Sequence, residues 1–157
     1  MAFESLLRRF AAAVQANDGA GLAALFTPDG VYEDCFFGPH QGAAAIVAML
    51  ARFHDGGRDY RWEFIDPVCV GDTGYARWRF SYASRLPGLL GRPVLVEGMS
   101  CFSLDGGRIG HYREVIGRGL ALSQLDFDAE RVRRVVRRAA EAQNAKPESR
   151  PHLERFV

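Results

Sequence analysis

Apolar residues near the start of the chain recur every three and four positions, the spacing that places side chains on one face of a helix. They are Phe3, Leu6, Leu7, Phe10 and Val14. Asn17 and Asp18 follow and predict a stop for this helix and a cap for the next one. The pattern therefore predicts an amphipathic helix packed on a core, with a second, shorter helix directly after it.

The second helix is predicted to run through Leu22, Leu25 and Phe26 and to end in a turn at Pro28-Asp29-Gly30. A short strand is predicted from Val31 to Phe36, and Gly38-Pro39 then breaks the chain. A third helix follows with a single apolar stripe, made by Ile46, Met49, Leu50 and Phe53. Three helices thus precede most of the sheet.

From Arg58 onward the apolar period becomes two, which is typical of strands with one buried face. The alternating sets are Tyr60, Trp62 and Phe64, and then, after a turn at residues 71–74, Trp78, Phe80 and Tyr82. Beyond the loop sequence PGLLGRP, a strand from Val94 to Leu104 is predicted to form a hairpin with Ile109 to Ile116 through Asp105-Gly106-Gly107. Helices followed by hairpin strands predict an α+β domain with the helices on one face of the sheet.

A last helix carries apolar and basic residues on opposite sides. The apolar side holds Val132, Val135, Val136, Ala139 and Ala140, and the basic side holds Arg131, Arg133, Arg134, Arg137 and Arg138. We interpret the arginines as a solvated face, with a subunit contact or a cover over a pocket as the alternative. The expected organisation is a domain over residues 1–122, a helical extension over 123–145 and a flexible tail over 146–157.

The composition of the chain argues against several classes of function. The 157 residues include 20 Lys and Arg against 19 Asp and Glu, a formal charge of +1 that does not favour nucleic-acid binding. Three widely spaced cysteines indicate neither a disulfide framework nor a metal motif. Charges interrupt MAFESLLRRF where a signal peptide needs an apolar run, and no later run is long enough for a membrane helix. We therefore expect a cytoplasmic protein that binds neither nucleic acid nor membrane.

The segment VQANDGAGLAALFTPDGVYEDCFFGPHQGAAAI resembles the ketosteroid isomerase and SnoaL-type polyketide cyclase branch of the nuclear transport factor 2-like superfamily. The resembling features are Asp18, Leu25-Phe26, Asp29, the Glu33-Asp34 pair and Gly42. CFSLDGGRIGHYREVIG is similar to the closing hairpin of that family. The resemblance covers roughly residues 3–120. It implies a cone-shaped α+β barrel, in which a strongly curved mixed or antiparallel sheet wraps around the N-terminal helices and an apolar pocket.

The resemblance also implies a general base. In ketosteroid isomerases the Asp of the Glu-Asp pair shuttles a proton, and the matching residue here is Asp34. A desolvated carboxylate in an apolar cavity gains the raised pKa that this chemistry needs. The oxyanion donors of those enzymes are replaced by Phe10 and Ser100, which argues against a steroid isomerase. The alternative is that Asp34 ends its strand and is satisfied by nearby backbone amides.

Glu114 is the second candidate carboxylate. Tyr112-Arg113-Glu114 is similar to the acid after a Trp-Arg pair in limonene-epoxide-hydrolase-like members of the superfamily. Arg79 is a candidate for their coupling arginine. Strand alternation argues against that role, because an inward Trp78 turns Arg79 outward. An outward Glu114 would be a solvated charge only.

These considerations predict a mostly apolar cavity for a small organic ligand. Its expected lining is Phe10, Tyr32, Asp34, Trp62, Trp78, Phe80, Ser100, Phe102, Tyr112 and Glu114. The four histidines lack ligand spacing, so no metal and no cofactor are expected. Two hypotheses remain open: a cofactor-independent isomerase, cyclase or hydrolase, and a noncatalytic ligand-binding or dimerisation module. Relatives pair through the outer sheet face, so a homodimer is expected.

Overall fold

The sheet has strand order β2-β1-β6-β5-β4-β3 in a computed structural model that describes residues 2–156. The six strands of the described chain are β1 (Phe26–Asp34), β2 (Gly38–Gln41), β3 (Gly57–Val70), β4 (Thr73–Ser84), β5 (Pro93–Asp105) and β6 (Arg108–Ile116). The helices are α1 (Ala2–Ala16), α2 (Gly19–Ala23), α3 (Gly42–Asp55), α4 (Arg118–Ser123), α5 (Ala129–Asn144) and α6 (Arg150–Leu153). The chain divides into two compact units, one up to Gly117 and one from Arg118 onward.

The first unit has the predicted α+β architecture. Its strands pair antiparallel except for β1 and β6, which run parallel, so the sheet is mixed. The Gly106-Gly107 turn between β5 and β6 has φ angles of 54° and 79°. Left-handed backbone at both central residues suits a tight hairpin, and glycine adopts it without a steric penalty. The predicted closing hairpin is therefore confirmed.

The Phe10 ring shows how strongly the sheet curves. It contacts the Tyr32 ring on β1 at 5.9 Å and the Trp62 ring on β3 at 5.7 Å between centroids. In a flat sheet four strand spacings, about 19 Å, would separate β1 from β3. One ring on α1 reaches both because the sheet curls around the helix. This curvature gathers the inward side chains of β1, β3, β5 and β6 around a common centre.

The prediction for residues 24–36 is partly wrong. The second helix ends at Ala23, and β1 begins at Phe26, so the strand includes the predicted turn Pro28-Asp29-Gly30. Its register with β6 shifts between Phe26 and Val31, which accommodates the turn residues as an irregularity in the strand. At the other end the strand stops at Asp34, and the Gly38-Pro39 break opens a short strand of its own.

The second unit contains the predicted Arg-rich helix, α5. Its N-terminus is capped by Asp128, whose carboxylate accepts a hydrogen bond from the Arg131 amide at 2.8 Å. None of the described residues of α5 is buried, and its valines are at most half-buried. Residues 147–156 form short helical turns. Within residues 2–156, no helix combines the length and the apolar character needed to cross a membrane.

Candidate acid/base site

The residues of β4 alternate between the two faces of the sheet as predicted, with the apolar side chains inward and the arginines outward. Trp78 and Phe80 are 4% and 6% exposed, whereas the side chains of Arg77 and Arg79 are about half exposed. Arg79 donates to the Glu97 carboxylate on the outer face at 2.6 Å. It is therefore directed away from the interior, and an arginine-coupled carboxylate pair of the epoxide-hydrolase kind does not form through it.

Phe10 occupies the centre of the predicted cavity. Besides Tyr32 and Trp62, its fully buried ring contacts Phe102 at 6.2 Å and Tyr112 at 5.0 Å between centroids. Aromatic rings thus fill most of the interior, and the polar groups cluster at one side of it. A groove of about 530 Å³ lies along α1 and β3, and Trp62 is the member of the predicted lining that borders it.

Glu114 is the most engaged acidic group on this polar side. Its Oε2 accepts a hydrogen bond from the Tyr112 hydroxyl at 2.7 Å, and its Oε1 accepts one from the Cys35 amide at 3.3 Å. Burial and the nearby Asp34 carboxylate raise the pKa of Glu114 to about 7, although Tyr112 and Cys35 favour the charged form. At neutral pH this carboxyl group is therefore poised to accept or to donate a proton.

A buried chain of hydrogen bonds leads across three strands to Glu114. The Trp78 indole donates to the Ser100 hydroxyl oxygen at 2.8 Å, and the Ser100 hydroxyl donates to the Tyr112 oxygen at 2.9 Å. Tyr112 then donates to Glu114. Trp78 on β4, Ser100 on β5 and Tyr112 on β6 stand side by side in the interior because the strands are paired in register. The indole nitrogen of Trp78 and the hydroxyl groups of Ser100 and Tyr112 each have a hydrogen-bond partner as a result.

Asp34 ends β1 beside Glu114 and is 8% exposed. Its Oδ1 accepts hydrogen bonds from the amides of Phe36 and Phe37, both at 2.7 Å. This arrangement matches the expected alternative in which backbone amides satisfy a strand-end carboxylate. The Asp34 side chain consequently fixes the turn after β1, the same turn that presents the Cys35 amide to Glu114.

The two inward tyrosines keep their protons at neutral pH. Burial, followed by the charge of Glu114, raises the pKa of both Tyr32 and Tyr112 well above the usual value of a phenol. Their rings lie 4.5 Å apart between centroids. Tyr112 donates its proton to Glu114, and Tyr32 keeps its proton beside the carboxylates.

Cys35 was not foreseen as part of the site. One ligand-type atom each from Asp34, Cys35 and Glu114 lies within 4.8 Å of the others. Asp34 and Glu114 also accept hydrogen bonds from the amides of Phe36, Phe37 and Cys35 and from the Tyr112 hydroxyl. Glu33 was correctly expected on the other face, where its carboxylate lies 3.1 Å from His111 and 3.6 Å from Arg113.

Trp62 and His40 each place a nitrogen in the interior without a hydrogen-bond partner among the described residues. The Trp62 ring contacts the Trp78 ring at 5.0 Å between centroids. His40 lies on β2 directly opposite Tyr32. Strand β2 was not predicted from the sequence, because a strand of four residues is too short to show a pattern of alternating apolar and polar side chains.

The curved mixed sheet around the N-terminal helices, with the inward Asp34 and Glu114, defines a small α+β domain of the cone-shaped type. The family model described as SnoaL-like domain matches residues 7–112. Since this is more than half of the chain, the protein belongs to the SnoaL-like domain family. Among curated proteins, no match is found.

Solved structures agree on the fold. A hypothetical protein with a ketosteroid isomerase-like fold from Catenulispora acidiphila, in complex with trimethylamine, has a TM-score of 0.71 at 20% identity, covering 80% of this chain and 95% of that chain. A proposed polyketide cyclase from Xanthomonas campestris gives 0.65 at 19% identity, covering 78% and 96%. An LEH-like epoxide hydrolase of M. tuberculosis has a TM-score of 0.62 at 19% identity, covering 77% of this chain and 86% of that chain. At these identities the likeness establishes the ketosteroid isomerase-like fold, as the sequence resemblance implied.

Proposed function

We propose that the protein is a cofactor-independent acid/base enzyme acting on a small, largely apolar organic molecule, with Glu114 as the group that exchanges protons. The observation that carries the proposal is the partly buried Glu114 carboxyl, which accepts hydrogen bonds from Tyr112 and the Cys35 amide and whose pKa is raised to about 7 by desolvation and by Asp34. A carboxyl group titrating near neutral pH is suited to general acid/base catalysis. This differs from the sequence hypothesis, in which Asp34 was the principal base.

In this proposal Asp34 and the tyrosines have distinct roles. Asp34 keeps Glu114 basic by its charge and orders the turn after β1 through the amides of Phe36 and Phe37. Tyr32 remains protonated and offers a hydrogen bond to a polar atom of the substrate, and Tyr112 donates to the Glu114 carboxylate. The aromatic residues provide apolar contact area, for which the candidates are Phe10, Trp62, Trp78, Phe80 and Phe102.

The reaction classes compatible with these groups share one step, a proton transfer. The atom that gains or loses the proton is either an oxygen or a carbon next to a carbonyl group. An isomerase or cyclase would need Glu114 to remove a proton from carbon, and a hydrolase would need it to activate water. The related structures named as a polyketide cyclase and an epoxide hydrolase represent these two classes. The absence of an inward arginine among the described partners of Glu114 favours the first class.

A noncatalytic ligand-binding or dimerisation module is the second candidate. It is favoured by Phe10, which fills the centre of the interior, and by Asp34, whose Oδ1 already holds two backbone amides. In this alternative the carboxylates would be structural groups that orient the β1 turn, and the protein would bind a ligand without turnover.

We also propose that the protein forms a homodimer in the cytoplasm. The outward face of β4, β5 and β6 exposes a cluster of apolar side chains, namely Tyr75, Met99 and Val115, of which Met99 and Val115 are directly paired. Leu95 is exposed further along β5, beyond the Arg79–Glu97 ion pair. Apolar side chains grouped on one sheet face are typical of an interface. The three cysteines are free thiols, which suits a reducing compartment.

The enzymatic proposal is tested by turnover with a panel of small alicyclic ketones, β-dicarbonyl compounds and epoxides. The wild type is compared with Glu114→Gln and Asp34→Asn, and with Glu63→Gln as a control on the exposed part of β3. Glu114→Gln should lower the rate on the order of 10²-fold or more, and the control should not. Binding of a panel compound with no turnover at any pH would favour the noncatalytic module.

A further inference from the structure

The direction of the hydrogen bonds between Trp78 and Glu114 is set at the Trp78 end. An indole N–H can only donate, so it occupies the Ser100 oxygen as an acceptor. The Ser100 side chain is fully buried, and its single proton has the Tyr112 oxygen as its partner at 2.9 Å. Because Tyr112 accepts this proton, its own hydroxyl proton points to Glu114 at 2.7 Å. The Trp78 indole N–H therefore sets the direction in which both the Ser100 and the Tyr112 hydroxyl groups donate.

We propose that Trp78 and Ser100 are positioning residues that hold the Tyr112 proton on Oε2 of Glu114 and thereby assign the exchangeable proton to Oε1. This inference rests on the proposed acid/base function and specifies which atom performs it. The hydroxyl oxygen of a carboxylic acid is a poorer acceptor than its carbonyl oxygen, so a neutral Glu114 keeps Oε2 as the acceptor of Tyr112. Its proton then resides on Oε1, whose hydrogen bond from the Cys35 amide is the longer of the two at 3.3 Å against 2.7 Å from Tyr112.

The substrate consequence follows from this assignment. The reacting atom must approach Oε1, on the side formed by the end of β1, and not Oε2, which Tyr112 covers. The titratable groups that face Glu114 are Tyr32 and Asp34 from β1, Cys35 from the turn after it and Tyr112 from its own strand. β5 contributes the neutral Ser100 hydroxyl to the same chain. Among these groups only Tyr112 has its donating direction fixed from outside the site, through Ser100 and Trp78.

The two buried tryptophans provide a matched pair of variants. Both are largely buried, at 4% for Trp78 and 7% for Trp62, and their rings are in contact. The Trp78 indole nitrogen donates to Ser100, whereas the Trp62 indole nitrogen has no partner among residues 2–156. Phenylalanine at either position removes the N–H and shortens the ring system. Only Trp78→Phe removes a donor that orients the chain.

The experiment follows the Glu114 carboxyl by NMR in protein labelled with ¹³C-glutamate, with Glu114→Gln identifying the signal. When Trp78 or Ser100 is replaced, Tyr112 becomes a weaker or misdirected donor, so the charged form of Glu114 loses stabilisation. Trp78→Phe and Ser100→Ala should each raise the Glu114 pKa by roughly 0.5 or more. The double variant should give the value of Ser100→Ala alone, since Trp78 acts through Ser100. Trp62→Phe should leave the pKa unchanged.

Two results would overturn the inference: an unchanged Glu114 pKa in Ser100→Ala, or an equal rise in Trp62→Phe and Trp78→Phe, which would indicate a general packing effect. If Trp78→Phe fails to fold, Ser100→Ala alone decides. The titration needs no substrate, so it is separable from the proposed function. If the Glu114 pKa shifts as expected but no turnover is found, only the enzymatic function is rejected. If turnover depends on Glu114 but the pKa does not shift in the variants, only the positioning role is rejected.

Discussion

The Tyr112 hydroxyl donates a hydrogen bond to Oε2 of Glu114, two residues further along the same strand, at 2.7 Å. Successive side chains of a strand alternate between faces, so residues two apart stand next to each other on one face. The sequence Tyr112-Arg113-Glu114 thereby places a phenol and a carboxyl group together in the interior and sends Arg113 outward to Glu33. A local sequence pattern is enough to build this part of the site.

The stability of the protein should depend on pH through Glu114. Its pKa is raised from 4.5 to about 7 in the folded state, so between these values the folded protein binds more protons than the unfolded chain. The contribution of Glu114 therefore falls as the pH rises from about 4.5 to about 7 and is level above that, with a total of at most about 3 kcal/mol. Urea unfolding at a series of pH values measures it.

Glu114→Gln is the comparison for this titration, because glutamine keeps the shape and cannot ionise. The difference in free energy of unfolding between wild type and variant should change across that pH window in the stated direction. Parallel pH curves for the two proteins would mean that Glu114 titrates at its ordinary value in the folded state.

Gly98 should be intolerant of a side chain. It lies opposite Trp78 in the pairing of β4 with β5, and a Cβ added there would lie 2.4 Å from the Trp78 ring and 2.7 Å from the Val115 carbonyl oxygen. Because a backbone atom is among the clashes, the site cannot relax by rotating one side chain. Gly98→Ala should lower the free energy of unfolding by about 1–3 kcal/mol, measured by urea denaturation.

Gly110→Ala is the matched control for Gly98→Ala, since Gly110 also lies within a strand and its added Cβ would meet no atom closer than 3.6 Å. The control should differ from wild type by much less. Equal losses in the two variants would show that the close approach to Trp78 has no energetic consequence.

The proposed dimer predicts sensitivity at Met99. This side chain is 48% exposed on the outer face of β5, within the apolar cluster. Met99→Asp should convert the protein to a monomer in light scattering, because a buried unpaired carboxylate opposes association. Leu90→Asp, in the loop between β4 and β5, should leave the mass unchanged. A wild-type mass equal to that of one chain at all concentrations would reject the dimer.

Sequence alternation predicted the inward face of β4, since Trp78 belongs to a clear period-two pattern. The inward position of Tyr112 on β6 was implied by the family resemblance. Neither revealed the hydrogen bonds between strands. Trp78 meets Ser100 only through the register of β4 with β5, and the loop joining these strands is too long to fix that register from sequence. The link from Trp78 to Glu114 therefore required the structure.

The start of β1 was misread for a different reason. Pro28-Asp29-Gly30 has the composition of a turn, and turn composition was given priority over strand continuation. In the structure Gly30 permits close packing, because a Cβ there would lie 2.8 Å from the carbonyl oxygen of Ile109 on β6. The parallel pairing of β1 with β6 is a contact between distant parts of the sequence, which local patterns do not encode.

The most direct test of the acid/base proposal is the titration of Glu114 in the wild type and in Asp34→Asn. Removing the Asp34 charge removes one of the two causes that raise the pKa of Glu114, while burial remains. NMR of the labelled Glu114 carboxyl should give a pKa of about 7 in the wild type and a lower value, still above 4.5, in Asp34→Asn. A wild-type value near 4.5, unchanged in Asp34→Asn, would contradict the account, because Glu114 would then be fully charged at neutral pH and unable to donate a proton.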